Sequence, residues 1–225
     1  MLIHLKEVDS TNNYILNEDF PKGTVVWADM QTAGRGRAEH SFVSPRGGIY
    51  FSCLLEGIES AELLTPKAAV AVSIALEEIC SLKPSIKWVN DIFLNNKKIC
   101  GILCENYDDK YIAGIGINMT AKDLPEELKK TAGGISDGTD ILPSEELRER
   151  IVKRISEILF APMSKESIIE GYSKRLNVLG KRVSFMHNGE TRIGVAMGIN
   201  EYCNLLVYTE DETISLSSGE IQIMP

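Results

Sequence analysis

The sequence has no excess of basic residues and no long hydrophobic run. Its 225 residues carry 24 lysines and arginines against 32 aspartates and glutamates, a formal net charge of −8. Because a protein needs basic density to neutralise nucleic-acid phosphates, we expect no DNA partner. The longest apolar stretch, at 68–76, is well short of the roughly 20 residues that cross a bilayer, so we expect no membrane association.

Disulfide and metal motifs are also missing. The five cysteines are odd in number and are never spaced as C-x-x-C, and the three histidines are scattered along the chain. Free thiols of this kind are typical of a reducing compartment, and the first ten residues are charged where a signal peptide would be apolar. We therefore predict a cytoplasmic protein with no metal site of its own.

Two nucleotide-binding motifs are absent as well. No G-x-x-x-x-G-K-[ST] phosphate loop occurs, and "YIAGIGINM" lacks the third glycine and the helix that a dinucleotide fingerprint requires. Its glycines, Gly114 and Gly116, are explained equally well by close backbone packing in a strand. An ATP site of the phosphate-loop kind is therefore excluded.

The patterns that are present predict an α+β fold. Over the first 177 residues, strands and helices indicate a mixed β-sheet with packed helices. They include a helix with Thr65 as its cap and Pro66 at its first position, one continuous strand over 86–95, and a short helix in the polar segment 124–143. Short alternating runs after residue 177 predict a small β-barrel of about five strands. We therefore predict two domains, 1–177 and 178–225.

Three stretches can carry chemistry, and each also has an ordinary structural explanation. "STN" at 10–12 can cap a helix or bind a polar, uncharged heterocycle. Lys87 in "KWVND" can be a solvated strand residue or a cation held over a reacting phosphate. The segment "QTAGRGRAEHSFVSP" at 31–45 combines glycines with arginines, which suits a surface loop or a loop that closes over an anion.

In this order, these stretches resemble a known family. "STNNY", "QTAGRGR", "KWVNDIFLNNKKICGILCE" and "GIGINM" are similar to motifs of the biotin–protein ligases, and the similarity covers nearly the whole chain. The resemblance implies a catalytic domain with the class II synthetase-like, biotin–lipoate ligase fold and an SH3-like C-terminal barrel. It also implies the activity: biotin and ATP, with Mg²⁺, form biotinyl-5'-AMP, and biotin then passes to a lysine of a carboxylase's biotin carboxyl carrier domain.

The resemblance also implies the site residues. Those expected to bind biotin are Ser10, Thr11, Asn12, Gln31, Gly34, Arg35, Gly36, Arg37, Lys87 and Gly101. Those expected to contact ATP are Arg37, Phe42, Lys87 and Asn118. Lys87, Arg35 and Arg37 are the implied catalytic residues, because their charges offset the repulsion between two anions that react with each other.

The chain departs from the usual family pattern inside the glycine-arginine segment. Glu39 and His40 follow "GRGR" where a glycine and then an arginine are common. We therefore expect the phosphate contacts to come from Arg35 and Arg37 rather than from His40.

Other departures concern the nucleotide and the ends of the chain. Phe42 replaces a tryptophan that stacks near adenine, and Val89 replaces a proline. Only nine residues precede Ser10, so we expect the form without an N-terminal DNA-binding domain and without a repressor role. In the barrel, Glu220 either approaches the nucleotide or belongs to a domain that only supports the site.

Other functions stay open on the sequence. A lipoate–protein ligase or an octanoyltransferase shares the catalytic fold but needs a longer apolar tunnel and no cluster for a ureido ring. An RNA-binding or adaptor module could use "GRGR" as a basic motif, but the chain is acidic and the motif has no interleaved aromatics. A degenerate ligase that binds biotin and turns over slowly is a third alternative, and the protein could be a monomer or a homodimer.

Overall fold

A computed structural model describes residues 1–37, 40–57 and 60–224. Its larger sheet has seven strands in the order β1-β2-β3-β7-β6-β5-β4. The strands are β1 (Leu2–Leu5), β2 (Val25–Ala28), β3 (Ile49–Leu55), β4 (Ser85–Lys87), β5 (Asp91–Leu94), β6 (Lys97–Tyr107) and β7 (Lys110–Ile117). The pair β1–β2 is parallel and the other pairs are antiparallel, so the predicted mixed sheet of an α+β fold is confirmed.

The helices cover the two faces of this sheet unequally. They are α1 (Thr11–Asn17), α2 (Leu64–Cys80), α3 (Glu145–Phe160) and α4 (Lys165–Ser173). Helices α2, α3 and α4 share one large apolar core with the sheet, whereas α1 packs through Ile15 on Val26, Leu54 and Ile112. Because side chains alternate along a strand, these three residues lie on the opposite face. That face is left partly open. Among the helices that the structure describes, none is long and apolar enough to cross a membrane.

The start of α2 differs from the prediction. The helix begins at Leu64, directly after a 3-10 turn at Ala61–Leu63, and its N-cap is Leu63 rather than Thr65. Pro66 is tolerated because the N–H groups of the first turn have no partner within the helix. The cap prediction was wrong because the preceding turn leads straight into the helix.

The predicted continuous strand over 86–95 is interrupted by a turn. Strand β4 ends at Lys87 and β5 begins at Asp91, and these two residues pair across the resulting hairpin. Tertiary contacts hold the turn: Trp88 Nε1 donates to the carbonyl of Cys203 at 3.1 Å, and Tyr172 Oη donates to that of Val89 at 2.7 Å. These partners are more than 80 residues away in the chain, so local sequence could not show the break.

The polar segment 124–143 contains turns and no α-helix, so the predicted short helix was wrong. A 3-10 turn at Ala121–Asp123 lies just before it. The Asp137 carboxylate accepts from the backbone N–H groups of Ala121 and Gly134, which ties the segment into a local loop. Side-chain to backbone bonds of this kind compete with helix formation.

The C-terminal strands form a second, antiparallel sheet in the order β11-β10-β9-β8-β12. The strands are β8 (Arg182–His187), β9 (Glu190–Ile199), β10 (Leu205–Tyr208), β11 (Thr213–Leu216) and β12 (Ile221–Ile223). The predicted count of five is confirmed. Within the described residues no ladder joins β11 to β12, so the barrel is not closed by backbone pairing.

A buried carboxylate links the sheet edge to α3. Asp29 follows β2, and its side chain is 7% exposed. It accepts from His4 Nε2 at 3.0 Å and from Arg148 Nη1 at 3.0 Å, and Lys6 and Arg46 lie 3.8 Å away. Burial acts to raise the pKa of Asp29, but the hydrogen bonds from His4 and Arg148 and their positive charges hold it below its ordinary value.

We expect Asp29→Asn to destabilise the protein at neutral pH by about 3 kcal/mol, because the variant leaves Arg148 buried without its counter-ion. The stabilisation by Asp29 is present above the pKa of the unfolded chain, about 3.9, and is lost as the pH falls through the lower folded-state pKa. The free energy of unfolding, measured with urea, should therefore be lower for the variant than for wild type at neutral pH, and this difference should narrow at about pH 3. An equal difference in unfolding free energy at neutral pH and at about pH 3 would contradict this explanation. Asp140→Asn, at an exposed site, is the matched control.

Candidate functional site

A cavity of about 420 Å³ lies on the sheet face that α1 leaves partly open. Its size falls within the range of small-molecule sites. The strand order β3-β7-β6-β5-β4 arranges the contributing residues across the sheet, with polar neutral groups over β3 and β7 and lysines on β6 and β4. Residues that are distant in the chain meet here because β3 pairs with β7 and because α1 and the segment 31–45 lie over the same sheet.

The neutral end of the cavity is a hydrogen-bonded corner between α1 and the sheet. Both the backbone N–H and the hydroxyl of Thr11 donate to Gln31 Oε1, at 2.9 and 3.1 Å. Ser52 Oγ donates to Thr11 Oγ1 at 2.8 Å and approaches Asn12 Oδ1 at 2.5 Å. Ser10 precedes α1 and lines the cavity, and its side chain makes no capping hydrogen bond. The corner thus offers hydroxyl and amide groups without a net charge.

Three glycines form the sheet surface beneath the cavity, and we call them the glycine floor: Gly101, Gly114 and Gly116. Gly101 pairs with Gly116 across β6 and β7. A Cβ at Gly116 would lie 2.4 Å from the Phe42 ring, one at Gly101 would lie 2.9 Å from it, and one at Gly114 would meet Asn12 Oδ1. The floor therefore needs glycine, because neighbouring side chains lie directly against its backbone. For Gly114 and Gly116 this agrees with the explanation by close backbone packing in a strand.

The glycine-arginine segment folds back on itself as a narrow loop over the cavity. Gln31 pairs with Ser44 and Arg35 with Ser41, and the Phe42 N–H donates to the Gly34 carbonyl at 2.8 Å. Gly34 packs closely in this segment, because a Cβ there would be 2.3 Å from the Phe42 carbonyl oxygen.

The two arginines of this segment have different surroundings. Arg35 Nη2 donates to Glu105 Oε1 at 2.7 Å and Arg35 Nη1 to Asn13 Oδ1 at 2.9 Å. Among the described residues, Arg37 Nη1 makes only long contacts with neutral oxygens, to Asn90 Oδ1 at 3.4 Å and to the Gly219 carbonyl at 3.5 Å. Both arginines line the cavity, but only Arg35 has an acidic partner in the described part of the chain.

Two lysines line the charged end of the cavity. Lys98 Nζ lies 2.7 Å from Asp91 Oδ1 and 5.9 Å from the centroid of Phe42, which rests on the floor. The Lys98–Asp91 contact is therefore a close ion pair. Lys87 Nζ lies 5.9 Å from the centroid of Phe93, a residue outside the cavity lining. Of the two ammonium groups, that of Lys98 is therefore directed more towards the floor.

The C-terminal sheet supplies part of the cavity rim. Gly219, Glu220 and Ile221 line it, and Glu220 Oε1 lies 3.7 Å from His40 Nε2 with both side chains largely exposed. An exposed pair at this distance contributes little to stability. Glu220 therefore lies at the rim of the cavity.

The cavity brings together most of the residues predicted from the sequence. It is lined by Ser10, Thr11, Asn12, Gln31, Arg35, Gly36, Arg37, Phe42, Lys87 and Gly101. Gly34 and Asn118 are not in the lining, and Glu39 lies outside the described residues. Asn118 is 6% exposed and donates from Nδ2 to the Gly133 carbonyl, while its Oδ1 has no partner among the described residues.

Sequence reasoning missed Ser52, Asp91, Lys98 and Glu105. Alternation from Gly101 places Lys98, three residues away, on the opposite face of β6. A register shift between Ile92 and Phe93 changes this, because it pairs Phe93 with Lys98 and Asp91 with Gly101. Such a bulge redirects a side chain, and "KKICG" carries no clear signal of it.

The described lining of the cavity contains no cysteine. Burial raises the pKa of the nearby Cys104 thiol to about 12, so it stays protonated at neutral pH. In the described ranges, no group of three His, Cys, Asp or Glu side chains could hold a metal ion. The lysines and arginines that line the cavity can bind an anion.

Two family models match the chain. Residues 5–120 match the biotin/lipoate A/B protein ligase family, and residues 178–224 match the biotin protein ligase C-terminal domain.

Individual relatives agree with these matches. The chain is 31% identical to the bifunctional ligase/repressor BirA of Bacillus subtilis, over 97% of this chain and 72% of that protein. It is 26% identical to the biotin–[acetyl-CoA-carboxylase] ligase of Mycobacterium tuberculosis, over 88% and 78%. Among solved structures, it resembles the biotin protein ligase from Aquifex aeolicus in complex with biotin and ATP, with a TM-score of 0.86, 35% identity and coverage of 99% and 98%.

We expect Gly116→Ala to destabilise the protein by about 2 kcal/mol, because the added methyl group overlaps the Phe42 ring. The cost should fall in a Phe42→Ala background, so the two substitutions should be non-additive in chemical denaturation. Gly198→Ala is the control, since a Cβ there meets nothing within 4 Å. An equal cost for Gly116→Ala with and without Phe42 would show that the ring does not rest on the floor.

Proposed function

Because the chain belongs to the biotin/lipoate A/B protein ligase family, we propose that this cavity carries out both steps of biotin–protein ligation. The protein is an ATP-dependent biotin–protein ligase. The observation that carries the proposal for the site is its arrangement: a neutral hydrogen-bonding corner and a cluster of cations share one cavity above a glycine floor.

The neutral corner suits the ureido ring of biotin. That ring is uncharged and carries two N–H donors and a carbonyl acceptor, which hydroxyl and amide side chains can match. We assign the ring to Ser10, Thr11, Asn12 and Gln31, and the apolar tail to the floor beside Gly101. The apolar chain of lipoate or octanoate offers no hydrogen-bonding groups, so the polar side chains of this corner would find no partner in it.

The charged end suits the meeting of two anions. In the first step a biotin carboxylate oxygen bonds to the α-phosphorus of ATP, the bond to the bridging oxygen breaks, and pyrophosphate leaves. Negative charge grows around the phosphorus, and fixed cations stabilise it. We propose Arg37 and Lys87, two of the three catalytic residues expected from the sequence with Arg35, and add Lys98, whose ammonium lies by the floor.

Adenine is assigned to Phe42 and Asn118. The Phe42 ring lies on Gly101 and Gly116, so it must turn aside for an extended ligand and can then stack on the base. The buried Oδ1 of Asn118, without a partner in the described structure, can accept from the adenine amino group. An unpaired buried acceptor costs about 1–3 kcal/mol, which a ligand donor would recover.

Magnesium is proposed to arrive with the nucleotide. Mg²⁺ usually binds through one or two carboxylates together with substrate phosphates. The carboxylate of Asp91 is paired with Lys98, and no described cluster forms a resident site. We therefore propose MgATP as the substrate.

In the second step the neutral amine of a carrier lysine attacks the acyl carbon, the bond to phosphate breaks and AMP leaves. We propose a biotin carboxyl carrier domain as the acceptor, since relatives of this chain are named biotin–[acetyl-CoA-carboxylase] ligases. The need for ATP and the free cysteines support a cytoplasmic location. The homodimer stays a prediction.

The division into 1–177 and 178–225 is also proposed. The Asn177 N–H donates to the Ile86 carbonyl of the larger sheet, whereas the Gly180 N–H donates to the Ala196 carbonyl of the smaller one. The backbone therefore changes sheets between these two residues, which supports a boundary there.

Incubation with MgATP, biotin and a carrier domain should add the mass of one biotinyl group to the carrier, read by mass spectrometry. Isothermal titration should show tighter binding of biotin than of lipoate, because only biotin satisfies the neutral corner. Tighter lipoate binding and lipoyl addition to a carrier would contradict the assignment and favour the lipoate ligase.

Lys98→Ala should slow pyrophosphate release about 100-fold, because it removes a cation next to the reacting phosphate. Lys87→Ala should slow pyrophosphate release by a similar factor, because its ammonium also lines the cavity and has no acidic partner among the described residues. Single-turnover release of pyrophosphate measures both, with Lys153→Ala on the exposed side of α3 as the control. A change of less than about threefold in either variant would remove that lysine from the assigned cations.

A further inference from the structure

We infer that Glu105 is a positioning residue, which fixes both the biotin corner and the glycine-arginine segment through one carboxylate. The inference rests on the proposed function for its ligand, biotin. Glu105 lies near the end of β6, outside the cavity lining, and its side chain is only 13% exposed. It acts through its neighbours and does not touch the reacting atoms.

Both carboxylate oxygens of Glu105 are occupied. Oε1 accepts from Arg35 Nη2 at 2.7 Å and from Tyr107 Oη at 2.8 Å. Oε2 accepts from Asn12 Nδ2 at 2.7 Å and from Arg35 Nη1 at 3.4 Å. Charge-assisted bonds of this length are among the stronger ones in proteins. One side chain thus joins α1, β6 and the segment that covers the cavity.

The first consequence concerns the orientation of Asn12. A carboxylate can only accept, so Asn12 must turn its amino group to Glu105. Its Oδ1 is then directed to Ser52 and to the space above Gly114, where a Cβ would collide with it. Glu105 therefore decides which atoms of this amide are available to a ureido ring.

The second consequence concerns Arg35. Partial burial acts to lower the pKa of Arg35, but Tyr107 and the charge of Glu105 hold it above its ordinary value. Its guanidinium is neutralised by Glu105 and also bonded to Asn13. Arg35 is therefore placed to tie its segment to the sheet and α1, and Arg37 is the arginine left for the substrate anion.

These two consequences predict a specific kinetic pattern. Glu105→Gln keeps the shape of the side chain but removes its charge and lets the amide of Asn12 turn. Biotin binding should weaken about tenfold, seen both by titration calorimetry and as a raised KM for biotin. The value of kcat should stay within about twofold, because the cations at the phosphate are unchanged. A general loss of folding would lower kcat and thermal stability instead.

Matched variants separate positioning from structure. Glu149→Gln makes the same substitution at an exposed ion pair on α3 and should change neither affinity nor KM. Tyr107→Phe removes one donor to Glu105 from a partly exposed ring and should raise the KM for biotin about threefold without a folding defect. If Glu105→Gln binds biotin as tightly as wild type, or if its loss lies in kcat alone, the inference is wrong.

Double-mutant cycles test whether Glu105 acts through its partners. Arg35→Gln or Asn12→Ala should cost less affinity in the Glu105→Gln background than in wild type, because the shared contact is already lost. Strictly additive losses in both cycles would overturn the inference.

Limited trypsin digestion tests the Arg35 contact without any ligand. Cleavage after Arg35 should be about tenfold faster in Glu105→Gln than in wild type or Glu149→Gln, because that arginine is no longer held. Unchanged cleavage would overturn this part of the inference. A wild-type protein that fails to bind biotin would instead refute the proposed function, so the two failures are distinguishable.

Discussion

The structure depends on one constraint: the sheet surface beneath the ligand-sized cavity must carry no Cβ atoms. Gly101, Gly114 and Gly116 lie on the central strands, where bulky side chains would fill the space. Because strand order places β3 and β7 beside β6, β5 and β4, this floor connects a neutral corner to a cationic end. A ligand with an uncharged head and an anionic tail can therefore lie across the sheet with each part near matching groups.

The charge around the cavity differs in sign from the net charge of the protein. The chain carries a net charge of −8, yet Arg35, Arg37, Lys87 and Lys98 converge on one cavity. Glu105 and Asp91 hold two of these cations in place, and the other two have no acidic partner within 4 Å in the described structure. Cations that are already positioned need little reorganisation when an anion arrives, which is the main electrostatic advantage of such a site.

Much of this could be read from the sequence, and the misses have physical causes. The mixed sheet and the five C-terminal strands follow from local patterns, and the structure has them. The turn after Lys87 and the position of Lys98 depend on distant partners and on a register shift, which local periodicity does not encode. The role of Glu105 was invisible for the same reason, because Asn12 and Arg35 are 93 and 70 residues away in the chain.

The central claim is that one cavity holds the neutral ring and the reacting anion together. The most direct measurement is a crystal structure with a non-hydrolysable biotinyl-adenylate analogue. We expect the ureido ring within hydrogen-bond distance of Thr11 or Asn12 and the phosphate mimic in contact with Arg37 and Lys98. An analogue bound elsewhere, or one with its ring at the lysines and its phosphate mimic in the neutral corner, would contradict the account.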